Sequence, residues 1–155
     1  YLVTRVLAYA MEHAEGIAFA TGGLSDPDEP AITVRDLTGA VRVWIEIGSP
    51  DAARLHKAGK ASPRVAIYTH KDVERLASRL SGERIHRVEA LELYAMDPAL
   101  IGALASRLDR RMAFALSISH RELFISIGDD NHPHLLIWPI AKDFTYMSAI
   151  IFRDE

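Results

Sequence analysis

The sequence predicts one mixed α/β domain across all 155 residues. Two observations predict it. Segments of alternating apolar residues are interleaved with segments of helical period, several of them opened by acid-and-proline start signals. No internal repeat and no low-complexity linker divides the chain.

Leu2, Val3, Val6, Leu7, Ala10 and Met11 recur at helical spacing, with Gly16 as the stop. Ile17 to Ala20 reads as a short strand broken by Gly22 and Gly23. Ser25 to Pro30 is a turn rich in acids, and Ala31 to Arg35 reads as the next strand. After the turn chemistry of Asp36 to Gly39 comes the clearest pattern in the chain. Val41, Val43, Ile45 and Ile47 alternate with Arg42, Trp44 and Glu46. The β-branched face is expected to look into a core, and the other to set Arg42, Trp44 and Glu46 side by side.

Gly48 ends that strand; Ser49 as N-cap and Pro50 at the first helical position then open a helix to Ala58. Arg64 to Thr69 is an apolar strand, and Lys71 to Leu80 a helix with Val73, Leu76 and Leu80 inward. Ile85 to Tyr94 reads as extended. Asp97 and Pro98 repeat the start signal for a helix through Arg107. Met112 to Ser119 and Glu122 to Ile127 read as a hairpin around His120 and Arg121. A polar loop, Asp129 to His134, leads to a strand from Leu135 to Ile140.

Bulk properties narrow the function classes. A net charge of −3 lacks the basic surplus of a dedicated DNA binder, yet fits a nucleic-acid enzyme whose positive charge comes from metal ions. The absence of cysteine excludes disulfides, zinc thiolates and a thiol nucleophile, and is compatible with the cytoplasm. No apolar run approaches the roughly 18 residues that span a bilayer, so no membrane role is expected. The chain opens inside a helical pattern without a signal-peptide leader, and a preceding segment is expected.

Chemistry concentrates between Ser25 and Lys57. Carboxylates from neighbouring strands suit a hard divalent cation, which takes oxygen ligands and keeps several waters. The acidic turn offers Asp28 and Glu29, and the end of a strand offers Glu46. Arg54 and Lys57 share a face of the following helix and supply positive charge close by. Each residue also has a plainer reading: a solvated turn for Asp28 and Glu29, an ion pair for Glu46, a charged helix surface for Lys57. His132 and His134 with Asp129 and Asp130 form a weaker metal candidate, because proline separates histidines at i,i+2. The basic stretch Arg107 to Arg111 reads equally as a helix end.

Gly23-Leu24-Ser25-Asp26-Pro27-Asp28-Glu29-Pro30, then Trp44-Ile45-Glu46-Ile47-Gly48-Ser49-Pro50-Asp51, then Arg54-Leu55-His56-Lys57-Ala58 resemble the bacterial YaeQ family, as does Arg5 to Ala10. The resemblance runs from Val3 to Ile140. It implies a restriction-endonuclease-like fold of the PD-(D/E)xK nuclease kind. By that resemblance Asp28, with Glu29 as the competing choice, and Glu46 hold Mg²⁺ or Mn²⁺. Lys57 completes a catalytic set with Asp28 and Glu46, while Arg54 and Trp44 contact substrate. Gly48 stands where such nucleases carry a strand lysine, so Lys57 on the helix takes its place. The family's first strand is missing before Tyr1, and the apolar stretch Phe144 to Phe152 resembles it in character.

Two functions follow from the resemblance. One is a metal-dependent nuclease acting on nucleic acid. The other is a nuclease-like module without chemistry that binds nucleic acid or a protein partner, with Trp44 open for stacking.

Overall fold

The computed structural model describes residues 1–22, 29–109, 114–119, 122–127 and 134–139. Helix α1 (Leu2–Met11) precedes β1 (Ile17–Phe19), β2 (Ile32–Arg35) and β3 (Val41–Ile47). Helix α2 (Ala52–Ala61), β4 (Arg64–Thr69), α3 (Val73–Leu80), β5 (Leu91–Ala95) and α4 (Pro98–Ala105) follow. Strands β6 (Phe114–Ser119), β7 (Glu122–Ile127) and β8 (His134–Pro139) close the order.

The first five strands form one sheet in chain order. β1, β2 and β3 pair antiparallel, whereas β3 with β4 and β4 with β5 pair parallel. A parallel pair needs a crossover, and α2 and α3 supply the two. The architecture is therefore mixed α+β, with a five-stranded mixed sheet flanked by helices, as the alternation of patterns predicts. β6, β7 and β8 form a separate antiparallel sheet, which contains the expected hairpin.

Helices cover both faces of the five-stranded sheet. Trp44, Val65, Ile67 and Leu93 pack against Leu55 and Ala58 of α2 and Leu76, Ala77 and Leu80 of α3. Ile45, Ile47, Ala66 and Tyr68 point the other way, toward Ala8 of α1. Val3 and Leu7 on α1 face α4 and β7, where they meet Leu100, Ile101, Leu104 and Ile125. The fully buried side chains of Ile32, Ile45, Leu55, Ile67 and Leu76 contribute about 1.5–3 kcal/mol each.

This double cover corrects the one-sided reading of β3. A central strand is buried on both faces, so Trp44, Ile45, Glu46 and Ile47 are all buried and only Arg42 of its polar face is exposed. The cap of α2 is corrected as well. Asp51, in extended conformation, is the N-cap, and its carboxylate accepts the Arg54 N–H at 2.8 Å. The Asp97 cap with Pro98 at the start of α4 stands as expected. The extended reading of Ile85 to Tyr94 holds only for its end. A single 3-10 turn, Val88–Ala90, precedes β5, and Arg87 before it is in left-handed conformation. Phe144 to Phe152 lies outside the described residues.

The α2 helix sits flush on the segment before that turn. A Cβ added at Gly59 would stand 2.4 Å from the His86 carbonyl oxygen, a main-chain atom that cannot swing aside. Gly59→Ala is therefore expected to destabilise the fold by about 1–3 kcal/mol, the usual cost of overpacking. Urea unfolding measures this, and an unchanged midpoint would contradict the contact.

Candidate active site

Glu46 ends up buried because it lies on the α2 side of β3, one residue short of the strand end. The residue is 4% exposed, and a charge so placed must find partners. Trp44, two residues earlier on the same face, donates its indole N–H to Oε1 at 2.6 Å. Arg54, in the first turn of α2, donates Nε–H to the same oxygen at 2.7 Å. The Arg54 guanidinium also donates from Nη2 to the main-chain carbonyl of Glu29 at 2.7 Å. One side chain thus ties the strand-borne acid to the acidic turn.

The turn is pinned from other directions as well. The Glu29 carboxylate accepts the backbone N–H groups of Thr21 at 3.0 Å and Gly22 at 3.1 Å. The Gly22 and Thr21 donors hold this exposed carboxyl below its ordinary value. Downstream, the buried Arg5 of α1 donates Nε and Nη2 to the Ala31 carbonyl at 3.1 and 2.8 Å, and its guanidinium lies over Phe19.

Burial pushes the Glu46 carboxyl above its ordinary value, outweighing the hydrogen bonds from Trp44 and Arg54 that pull it down. A carboxyl in this state holds its proton more readily than one in water, so the pair is electrostatically stressed.

The residues singled out in the sequence are placed as follows. Glu46 and Arg54 come together, and the Glu29 main chain joins them. The Glu29 carboxylate points instead to the 21–22 turn. Asp28 lies outside the described residues, as do Asp129 to Pro133. Lys57 is exposed, one turn beyond Arg54 on α2. The expectation that Trp44 is open for stacking is corrected. The residue is 4% exposed, packed against α2 and α3, and its N–H serves Glu46. Among the described residues no group of three or more His, Asp or Glu side chains is placed to hold a metal ion.

Gly48 explains why no strand lysine stands after Glu46. It adopts φ +95, a region open to glycine and strained for any other residue, and its N–H donates to the Tyr68 carbonyl at 2.8 Å. The chain leaves the sheet there, and positive charge reaches Glu46 from α2.

A second charged cluster escaped the sequence reading. Arg64, at the start of β4, donates to both oxygens of Glu12 at 2.6 and 2.9 Å and to Glu92 at 2.6 Å. Tyr68 donates its hydroxyl to Glu12 at 2.7 Å, and Tyr94 donates to Glu92 at 2.6 Å; the two rings stack. Glu12 and then Glu92 push the Arg64 guanidinium up. Burial would raise Glu92, yet Arg64 and Tyr94 outweigh it and hold that carboxyl low. Burial and then the Glu92 contact push the Tyr94 hydroxyl up to about 12. The pairing of Ala66 with Glu92 sets these residues on one face, and that register is invisible in a single sequence.

An α/β domain with a mixed, doubly covered sheet, whose central strand ends on a buried carboxylate clasped by a helix guanidinium, is the class that fold and site define. Within it, the chain belongs to the YaeQ family: the family model described as YaeQ protein matches residues 1–134. A Salmonella typhi protein named Uncharacterized protein YaeQ is 25% identical over 131 residues, 84% of this chain and 72% of that one. The crystal structure of YaeQ protein from Pseudomonas syringae is similar with a TM-score of 0.69 at 26% identity, covering 92% of this chain and 78% of its own. The structure from Xanthomonas axonopodis pv. citri also has a TM-score of 0.69, at 27% identity over the same shares. No helix among the described residues is long and apolar enough to cross a membrane.

Removing Arg54 would leave a buried carboxylate unpaired. Arg54→Ala is expected to cost about 3 kcal/mol, the low end for a broken buried pair because the guanidinium is 24% exposed. Glu46→Gln keeps an oxygen acceptor for both donors and is expected to cost less. Since the folded carboxyl sits above its ordinary value of 4.5, its contribution to stability is full below that value and is lost as pH rises through the folded value. Unfolding curves across that window should fall more steeply with pH for the native chain than for Glu46→Gln. Parallel curves would contradict the assignment.

Proposed function

We propose that the chain is a divalent-cation-dependent phosphodiesterase, a nuclease acting on DNA or RNA through a variant PD-(D/E)xK site in a restriction-endonuclease-like fold. The observation that carries this reading is the span of Arg54. One guanidinium contacts both the Glu46 carboxylate and the carbonyl of Glu29, the residue that follows Asp28 in the sequence. A mixed sheet with helices on both faces is the scaffold such a site requires.

The donor chemistry fits a hard cation. Asp28 and Glu46 would hold Mg²⁺ or Mn²⁺ through carboxylate oxygens, with Glu29 as a further candidate ligand. A bound ion of this kind supplies positive charge to the phosphoryl group and lowers the pKa of a ligated water. The chain's own residues do the rest. Trp44 fixes the orientation of Glu46 through its N–H, which keeps one carboxylate oxygen from turning. Arg54 balances the charge of Glu46 and contacts substrate phosphate as a planar fork. Lys57, exposed one turn further along α2, supplies the charge that Gly48 cannot carry on the strand. Such an enzyme would act in the cytoplasm, where its substrate lies.

A second reading has one observation in its favour. Glu46 already holds two donors, one of them a cation, and this is the resting state of a nuclease-like module that binds nucleic acid or a protein without cutting. The two readings separate experimentally. Labelled single- and double-stranded DNA and RNA are incubated with the protein in millimolar Mg²⁺ or Mn²⁺, and in EDTA. The enzyme reading expects cleavage only with the cation, and a loss of about 100-fold or more in Glu46→Gln. Absence of cleavage together with an unfolding temperature indifferent to either cation would sink it. Salt-sensitive binding that survives Glu46→Gln would establish the module instead.

A further inference from the structure

We propose that the cleft between α2 and the segment Glu83 to Arg87 is a binding site for a phosphate-bearing ligand of nucleotide size. The cleft has a volume of about 820 Å³, within the roughly 300–1,000 Å³ of small-molecule sites. His56 and Lys60 line it from α2, and Glu83, Arg84, His86 and Arg87 line it from the facing segment. Three permanent cations therefore meet a single carboxylate, on a chain whose net charge is −3. Among the described residues, neither Lys60 nor Arg84 takes part in an ion pair. Concentrating unspent positive charge against the overall balance focuses the field into the concavity and selects for an anion. Arginine forks beside a lysine ammonium suit phosphate oxygens in particular.

The walls are built, and this separates the cleft from a random basic surface. The facing segment lies directly on α2, where the His86 carbonyl oxygen occupies the space a Gly59 side chain would need. Arg87 is the one non-glycine residue with positive φ among the described residues, at φ 55 and ψ 44. That strained backbone is held by its own guanidinium, which donates from Nη2 to the Pro63 carbonyl at 2.7 Å. His56 Nδ1 lies 3.2 Å from the Arg84 carbonyl. A carbonyl only accepts, so Nδ1 is the donor of this contact. Strain confined to the wall of a charged cavity points from geometry to use.

The cleft is distinct from the Glu46 site. At 3.6 residues per turn, Arg54 and His56 point about 200° apart around α2. The Glu46 ion pair occupies one flank of the helix, and the basic cleft the other. The proposal therefore stands or falls without the nuclease reading.

The test uses the full chain in EDTA, so that any cation-dependent site is silent. Two probes are titrated by calorimetry or fluorescence anisotropy: thymidine monophosphate and a labelled pentathymidylate. Saturable binding is expected, weakened by salt and unchanged in Glu46→Gln. The double variant Lys60→Ala/Arg84→Ala, both exposed positions, should weaken it by about tenfold or more. If that variant fails to fold, Lys60→Gln/Arg84→Gln takes its place. Binding of the mononucleotide identifies a free nucleotide as ligand; binding of the pentamer alone identifies a unit of a strand. Either supports the proposal. Binding of neither probe, binding indifferent to the double variant, or equal competition by a hexaglutamate peptide overturns it.

Discussion

The ion pair between Arg54 and Glu46 is the contact on which the neighbouring structure depends, because neither partner can be removed alone without stranding charge. The carboxylate is buried by the helices that cover β3, and its 2.7 Å contact to Arg54 is the charge that balances it. The same guanidinium holds the Glu29 carbonyl, so the main chain at Glu29 is tied to the side chain that satisfies Glu46. Asp51 caps α2 through the Arg54 N–H and sets the register that aims the guanidinium at the strand. Glu46 on the strand, Arg54 on the helix and the main chain at Glu29 are therefore tied by one electrostatic requirement.

How much of this is legible in the sequence depends on which force decides each element. Local forces are legible. The alternation in β3, the acid-and-proline start of α4 and the helical period of α1 need only neighbouring residues, and the described strands and helices stand where those patterns lie. Tertiary forces are not. Whether Trp44 faces water or a second helix layer is decided by α2 and α3, which come from later chain, and the alternation of β3 looks the same either way. The cap of α2 shifted from Ser49 to Asp51 for a similar reason, since several residues there could cap and only geometry selects one. The Arg64 cluster was hidden more deeply. Arg64 and Glu92 meet through the register of β4 and β5, and Glu12 is brought to them from the end of α1.

Within the candidate site, the residue types were legible and their partners were not. Glu46 and Arg54 stood out as a strand acid followed by a helix cation, and the structure joins them. Trp44 was legible as a neighbour of Glu46, but its indole proved to be a positioning donor and not an exposed ring. The glycine after the strand is the most informative departure. A lysine at position 48 would have to adopt φ +95, a conformation strained for any residue but glycine. Once the strand ends on a left-handed residue, any cation serving Glu46 has to come from α2.

Position along the sheet separates the two charged clusters by role. In open sheets with parallel strands, ligands gather at the carboxyl ends, where connecting loops and helix starts converge. Glu46 lies at that end of β3, beside the first turn of α2. Arg64 lies at the amino end of β4, paired in register with Val43, and its guanidinium is committed to Glu12 and Glu92. A cation with two carboxylates and a tyrosine hydroxyl within reach has little capacity left for a ligand. The Arg64 cluster thus reads as a clasp between α1 and the sheet.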